Sequence, residues 1–90
     1  MSAQDAVRDA MARNLPVYWW HSAILADLDR IAAIDDNPFG HGYTVAGVVD
    51  NARLGSDGTR YVDQLESWGY VRTWMGESMG HALRMIEATS

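Results

Sequence analysis

The sequence predicts a mostly α domain completed by a small β-hairpin, an α+β fold. Three observations carry that prediction. Apolar residues recur at helical spacing from Val17 to Ile31, and capping residues and glycines divide the middle of the chain into two further short helices. After Gly69 the run Tyr70-Val71-Arg72-Thr73-Trp74 takes on strand character. At 90 residues, 48% hydrophobic and 21% charged, the chain suffices for one core and little else. Residues 1–14 read as an N-terminal helix and 15–90 as the main domain.

Ser2-Ala3-Gln4-Asp5 has the serine-x-x-acid spacing of a helix N-cap. Ala3, Val7, Ala10 and Met11 then share a thin apolar face opposite Arg8, Asp9 and Arg13, so this helix needs support. Asn14-Leu15-Pro16 predicts a break and restart, with Asn14 as cap and Pro16 in the first turn. The next helix carries Val17, Trp20, Ile24, Leu28 and Ile31 on one side. Trp19, Ala23, Ala26, Arg30 and Ala33 form a second, flatter strip. A helix apolar on two faces is covered on both, here by the first helix or by a second copy of the chain.

Asp35-Asp36-Asn37-Pro38-Phe39-Gly40-His41-Gly42 predicts the turn that ends this helix. Thr44 caps a third helix through Val45, Val48, Val49 and Ala52 to Leu54, closed by Gly55. Ser56 or Asp57 caps a fourth through Trp68, with Gly69 as its left-handed stop. Its Gly58, Val62 and Leu65, with the edges of Tyr61 and Trp68, point inward. Ser56, Arg60, Asp63, Gln64 and Ser67 point outward. The hairpin then pairs Tyr70–Trp74 with His81–Ile86 through a loop of about six residues, Met75 to Gly80.

Composition excludes several function classes. With no cysteine there are no disulfides, thiolate nucleophiles or cysteine-ligated metals. His21, His41 and His81 lack metal-ligand spacing, Asp35-Asp36 is ordinary turn chemistry, and no serine sits in a nucleophile elbow. No catalytic residue, metal or cofactor is expected. No apolar run is long enough to cross a bilayer and the N-terminus lacks a signal pattern, which predicts a soluble cytoplasmic chain. The net charge is −5 and the pI about 4.8. All seven basic residues are arginine, so any nucleic-acid contact needs a local arginine face.

Helix, turn, helix and hairpin in this order resemble a winged helix-turn-helix with an extra N-terminal helix. The segment Thr59-Arg60-Tyr61-Val62-Asp63-Gln64-Leu65-Glu66-Ser67-Trp68-Gly69-Tyr70-Val71 resembles the recognition-helix-into-wing stretch of MarR-type and PadR-type transcription regulators. His41-Gly42-Tyr43 followed by Gly58-Thr59-x-Tyr61 is closer to the PadR pattern. The resemblance implies a DNA-binding regulator acting as a homodimer on a palindromic site. It implies Arg60 and Gln64 at base edges, Ser56 and Thr59 on phosphates at the helix N-terminus, and Arg53, Arg72 and Arg84 flanking that surface.

This chain departs from the family pattern at Asp57 and Asp63 on the contact face and at Glu77 in the wing. The long C-terminal pairing helix of PadR proteins has no counterpart within these residues. Dimerisation is expected instead through Val7, Met11, Trp19, Ala23 and Ala26 on the first two helices. The alternative reading is an acidic winged-helix module, of the phage modulator or antirepressor type, that binds a protein and not DNA. Charge placement separates the two. Arginines converging on one face favour DNA, whereas arginines scattered or paired with acids favour a protein partner.

Overall fold

The computed structural model describes residues 2–34 and 43–89. Four helices, α1 (Ala3–Ala12), α2 (Trp19–Ile34), α3 (Val45–Asn51) and α4 (Gly58–Trp68), pack with a small antiparallel sheet. The strands are β1 (Tyr43–Thr44), β2 (Val71–Ser78) and β3 (His81–Ala88), in the spatial order β1-β3-β2. The α+β class is therefore as the sequence predicts. The turn expected at Asp35–Gly42 lies outside the described residues.

The capping box of α1 forms as its spacing requires: the Ser2 hydroxyl accepts from the Asp5 amide at 3.1 Å, and the Asp5 carboxylate accepts from the Ser2 amide. The apolar face falls largely as expected, with Ala3, Val7 and Ala10 on the core and only Met11 turned away from it. Ala6 and Ala10 are buried, Val7 is half-buried against the core, and Met11 is 64% exposed. Polar contacts add to this packing. The Ala3 amide donates to Asp29 Oδ2 at 2.6 Å, the Tyr70 hydroxyl donates to Asp9 at 2.5 Å, and Arg13 Nη1 donates to Tyr70 Oη and to the Trp68 carbonyl. Asp9 and Arg13 are exposed, as expected, and they also join α1 to the start of the hairpin.

The restart after α1 comes later than the sequence suggests. Asn14 does not cap α2; it takes a left-handed backbone (φ 60°) and ends α1. Pro16 stays outside the helix, and the Tyr18 carbonyl accepts the first helical bond, from Ser22 at 3.2 Å. The N–H of Tyr18 is then an orphan at the helix start, and the Nδ1 of His21 accepts it at 3.0 Å. That bond fixes the tautomer. The proton sits on Nε2, which donates to Gln64 Oε1 of α4 at 2.7 Å. His21 is 1% exposed. Gln64, expected to face outward, is turned inward because this buried N–H needs an acceptor.

The core runs through Ile24, Leu25, Leu28 and Ile31 of α2, Val45 and Val48 of α3, Val62 and Leu65 of α4, and Val71 and Ile86 of the hairpin. Helices α3 and α4 approach so closely that a Cβ on Gly58 would lie 2.2 Å from Val49 Cγ1. Glycine is required there for contact, not for turning. Gly69 has φ 92° and stops α4 in the left-handed region, as its position predicts.

The hairpin is longer than expected. Strands β2 and β3 pair from Val71↔Ala88 to Ser78↔His81, leaving Met79-Gly80 as a two-residue turn. Both turn residues have positive φ (51° and 81°), the backbone that matches strand twist in tight hairpins. Met75–Ser78, expected in the loop, therefore extend the strand. The two residues of β1 pair with Ile86 and Met85 of β3 and join α3 to the sheet, a pairing the sequence does not predict.

Two outcomes follow from this core. Leu65→Ala costs about 2–5 kcal/mol through the cavity it opens. Gln64→Ala costs about 1–3 kcal/mol by leaving the His21 N–H unpaired. Denaturant melts read both, and a neutral Gln64→Ala contradicts the contact. Burial also pushes the His21 imidazole below its ordinary pKa of 6.5. Stability from the neutral ring is then complete above about pH 6.5 and lost as pH falls toward the lower folded value, because only the unfolded chain gains the proton. Melts at pH 7.5 and pH 5 are expected to show this drop in the parent and a smaller one in His21→Gln.

Candidate nucleic-acid interface

The outward side of α4 begins where the turn after α3 delivers it. Arg53 (φ 55°) and Gly55 (φ 63°) reverse the chain, and Gly55–Asp57 form a single 3-10 turn leading into the helix. With Gly58, Val62 and Leu65 buried, helical spacing leaves Ser56, Thr59, Arg60, Asp63 and Ser67 exposed on one ridge. Asp57 occupies the N-cap position but its side chain makes no capping bond.

Arg60 is braced rather than buried. Its side chain is 66% exposed, lies 3.8 Å from Asp57, and stands over the Tyr61 ring with 5.3 Å to the centroid. Tyr61 stacks on Trp20 at 4.8 Å, and Trp20 on Tyr18 at 4.7 Å. This layered stack runs from the start of α2 to the first turn of α4. Trp20 Nε1 is buried in it without a hydrogen-bond partner among the described residues.

Arg84 has a different role from the phosphate contact that the family resemblance implies. It reaches from β3 to α4, where Nη2 donates to Asp63 at 2.5 Å, to Thr73 Oγ1 at 3.2 Å and to Glu66 at 3.5 Å. Glu66 Oε2 in turn accepts from the amide and hydroxyl of Thr73 at 2.7 and 2.6 Å. These Thr73 bonds, with Arg84 beside them, hold the Glu66 carboxyl below its usual pKa. The cluster clamps the hairpin to α4. It also pairs Asp63 on the outward ridge, although the cluster, one arginine against two carboxylates, stays net negative.

Arg72 is not brought to this surface. Alternation along β2 places it on the sheet face opposite Thr73, and Thr73 is the residue that faces α4. There Arg72 pairs with Glu87 directly across on β3 and lies 4.6 Å over the Trp74 ring. The α4-facing side of the outer hairpin offers Met75, 66% exposed, and Glu77; the tip offers Met79, 95% exposed.

Of the seven residues assigned to DNA contact, Ser56, Thr59 and Arg60 lie together at the start of α4, with Arg53 in the turn before them. Arg84 stands behind them as a clamp, Gln64 is committed to His21, and Arg72 faces elsewhere. Arg53 has no carboxylate within ion-pair distance among the described residues. The sequence missed the roles of His21 and Glu66. A buried histidine three residues after a helix start, and the glutamate of the leucine-glutamate pair, were the signals available. Among the described residues, no group of three or more His, Asp or Glu could hold a metal ion, and no helix is long and apolar enough to cross a membrane. Comparison with protein-family models, curated proteins and solved structures finds no match to this chain.

Proposed function

We propose that this chain is a winged helix-turn-helix module that binds double-stranded DNA as a homodimeric regulator, with α4 in the major groove and the β2–β3 hairpin as the wing. The element order and the β1-β3-β2 sheet support the fold reading. The observation that carries the DNA reading is the exposed ridge at the start of α4, where Ser56, Thr59 and Arg60 lie together. Asp63 on that ridge is paired with Arg84, so Asp57 is the ridge carboxylate not held by the hairpin clamp. That one is 3.8 Å from an exposed arginine, a contact weak enough in water to be exchanged for phosphate. Hydroxyls at a helix N-terminus suit phosphate oxygens, and Arg60 suits the paired acceptors of guanine.

A second reading, a protein-binding winged helix, is favoured by the pairing of Arg60, Arg72 and Arg84 with acids. The two readings differ in salt response. With Arg53 and Arg60 as its cations, each protomer releases few counterions, so log K against log salt is expected to fall with a slope of about −2 per protomer. Fluorescence titration with random and genomic DNA at two salt concentrations checks this. Arg60→Ala is expected to lose roughly tenfold in affinity and to relax specificity at one base pair, whereas Arg53→Ala weakens all sequences alike. No binding at low salt rejects the regulator and leaves the protein-binding module.

A further inference from the structure

The outer face of α2 carries a large aromatic side chain that stays mostly exposed among the described residues. Trp19 is 64% exposed, held edge-on against Trp20 at 5.6 Å. Arg30, on the same strip three turns away, is 55% exposed, and Asp27 fixes its guanidinium at 2.7 and 3.1 Å. Between them lie Ala23, half-buried, and Ala26, exposed. Helix α1 leaves this strip open because it docks elsewhere, through Ala6 and Ala10, with its Ala3 amide on Asp29.

The spacing of the strip is its own mirror image. Trp19, Ala23, Ala26 and Arg30 follow one another at four, three and four residues, so the reversed helix presents the same pattern. We propose that α2 pairs with α2 of a second copy in an antiparallel two-fold contact, the alanines meeting at the crossing and each Trp19 lying under the partner subunit's Arg30. Side chains as small as alanine let two helix axes approach to the near end of the usual 8–10 Å range. An electron-rich indole face and an exposed guanidinium are complementary, and the two-fold uses that complementarity twice. Val7, half-buried against its own core, contributes less than its sequence position suggests.

This contact gives form to the homodimer proposed above and does not depend on DNA binding. Sedimentation without DNA therefore tests it alone. The parent is expected to run as a dimer at micromolar concentrations. Trp19→Arg sets like charges against each other and is expected to give monomer, as is Ala26→Glu at the crossing. Adding Arg30→Glu to Trp19→Arg reverses the sign of one side and is expected to restore the dimer. Circular dichroism confirms folding, since Trp19, Ala26 and Arg30 are all exposed in the protomer. A monomeric parent, a dimeric Trp19→Arg variant, or a charge-swapped double variant that stays monomeric would each overturn the proposal.

Discussion

His21 sits where α2 and α4 meet, and its imidazole satisfies two neighbours at once. One ring nitrogen accepts the first free amide of α2; the other donates to the amide side chain of Gln64. Only the neutral ring, in one tautomer, does both. The start of α2 and the rotation of α4 are therefore fixed by the same group. Around it the rings of Tyr18, Trp20, Tyr61 and Trp68 pack within 4.8 to 6.3 Å, and among the described residues none of its contacts is a carboxylate that would favour an imidazolium. The outward ridge of α4 takes its orientation from this junction.

The hairpin is held to α4 by a second polar device of a different kind. Glu66, Thr73, Arg84 and Asp63 share charge and hydrogen bonds across the helix–sheet joint. This gives the leucine-glutamate-x-x-glycine segment a physical account. Leu65 enters the core, Glu66 grips the incoming strand, and Gly69 supplies the left-handed turn that points the strand back.

What the sequence disclosed follows from which signals are local. The Thr44 cap, the Gly69 stop and the burial of Val45, Val48, Gly58, Val62 and Leu65 depend on neighbours a few residues away, and each is read correctly. The start of α2 was missed because the decisive cap comes from a histidine inside the helix rather than from Asn14 or Pro16. The tie from α1 to the hairpin was missed because Asp9 and Arg13, though exposed, bond Tyr70, some sixty positions away. The glycine-rich Met75–Gly80 stretch looked like a loop, although its backbone extends the ladder until the last two residues. The candidate site divides in the same way. Ser56, Thr59 and Arg60 follow from helical spacing alone. The fates of Gln64, Arg72 and Arg84 depend on tertiary partners that one sequence does not display.

The attachment of α1 also bears on the order in which the molecule opens. Its fully buried side chains are two alanines, with Ala3 and Val7 partly covered, and its polar ties are one hydrogen bond each to Asp29 and the Trp68 carbonyl and two through the Tyr70 hydroxyl. Free energies of local opening rank segments by such attachments. The N-terminal helix is accordingly the first cooperative unit to detach, and its amides exchange with solvent ahead of those of α2 and α4. Detachment uncovers Leu25 and Tyr70 together. A helix released in that way from one chain can be replaced by the same helix of another, the geometry of a domain swap.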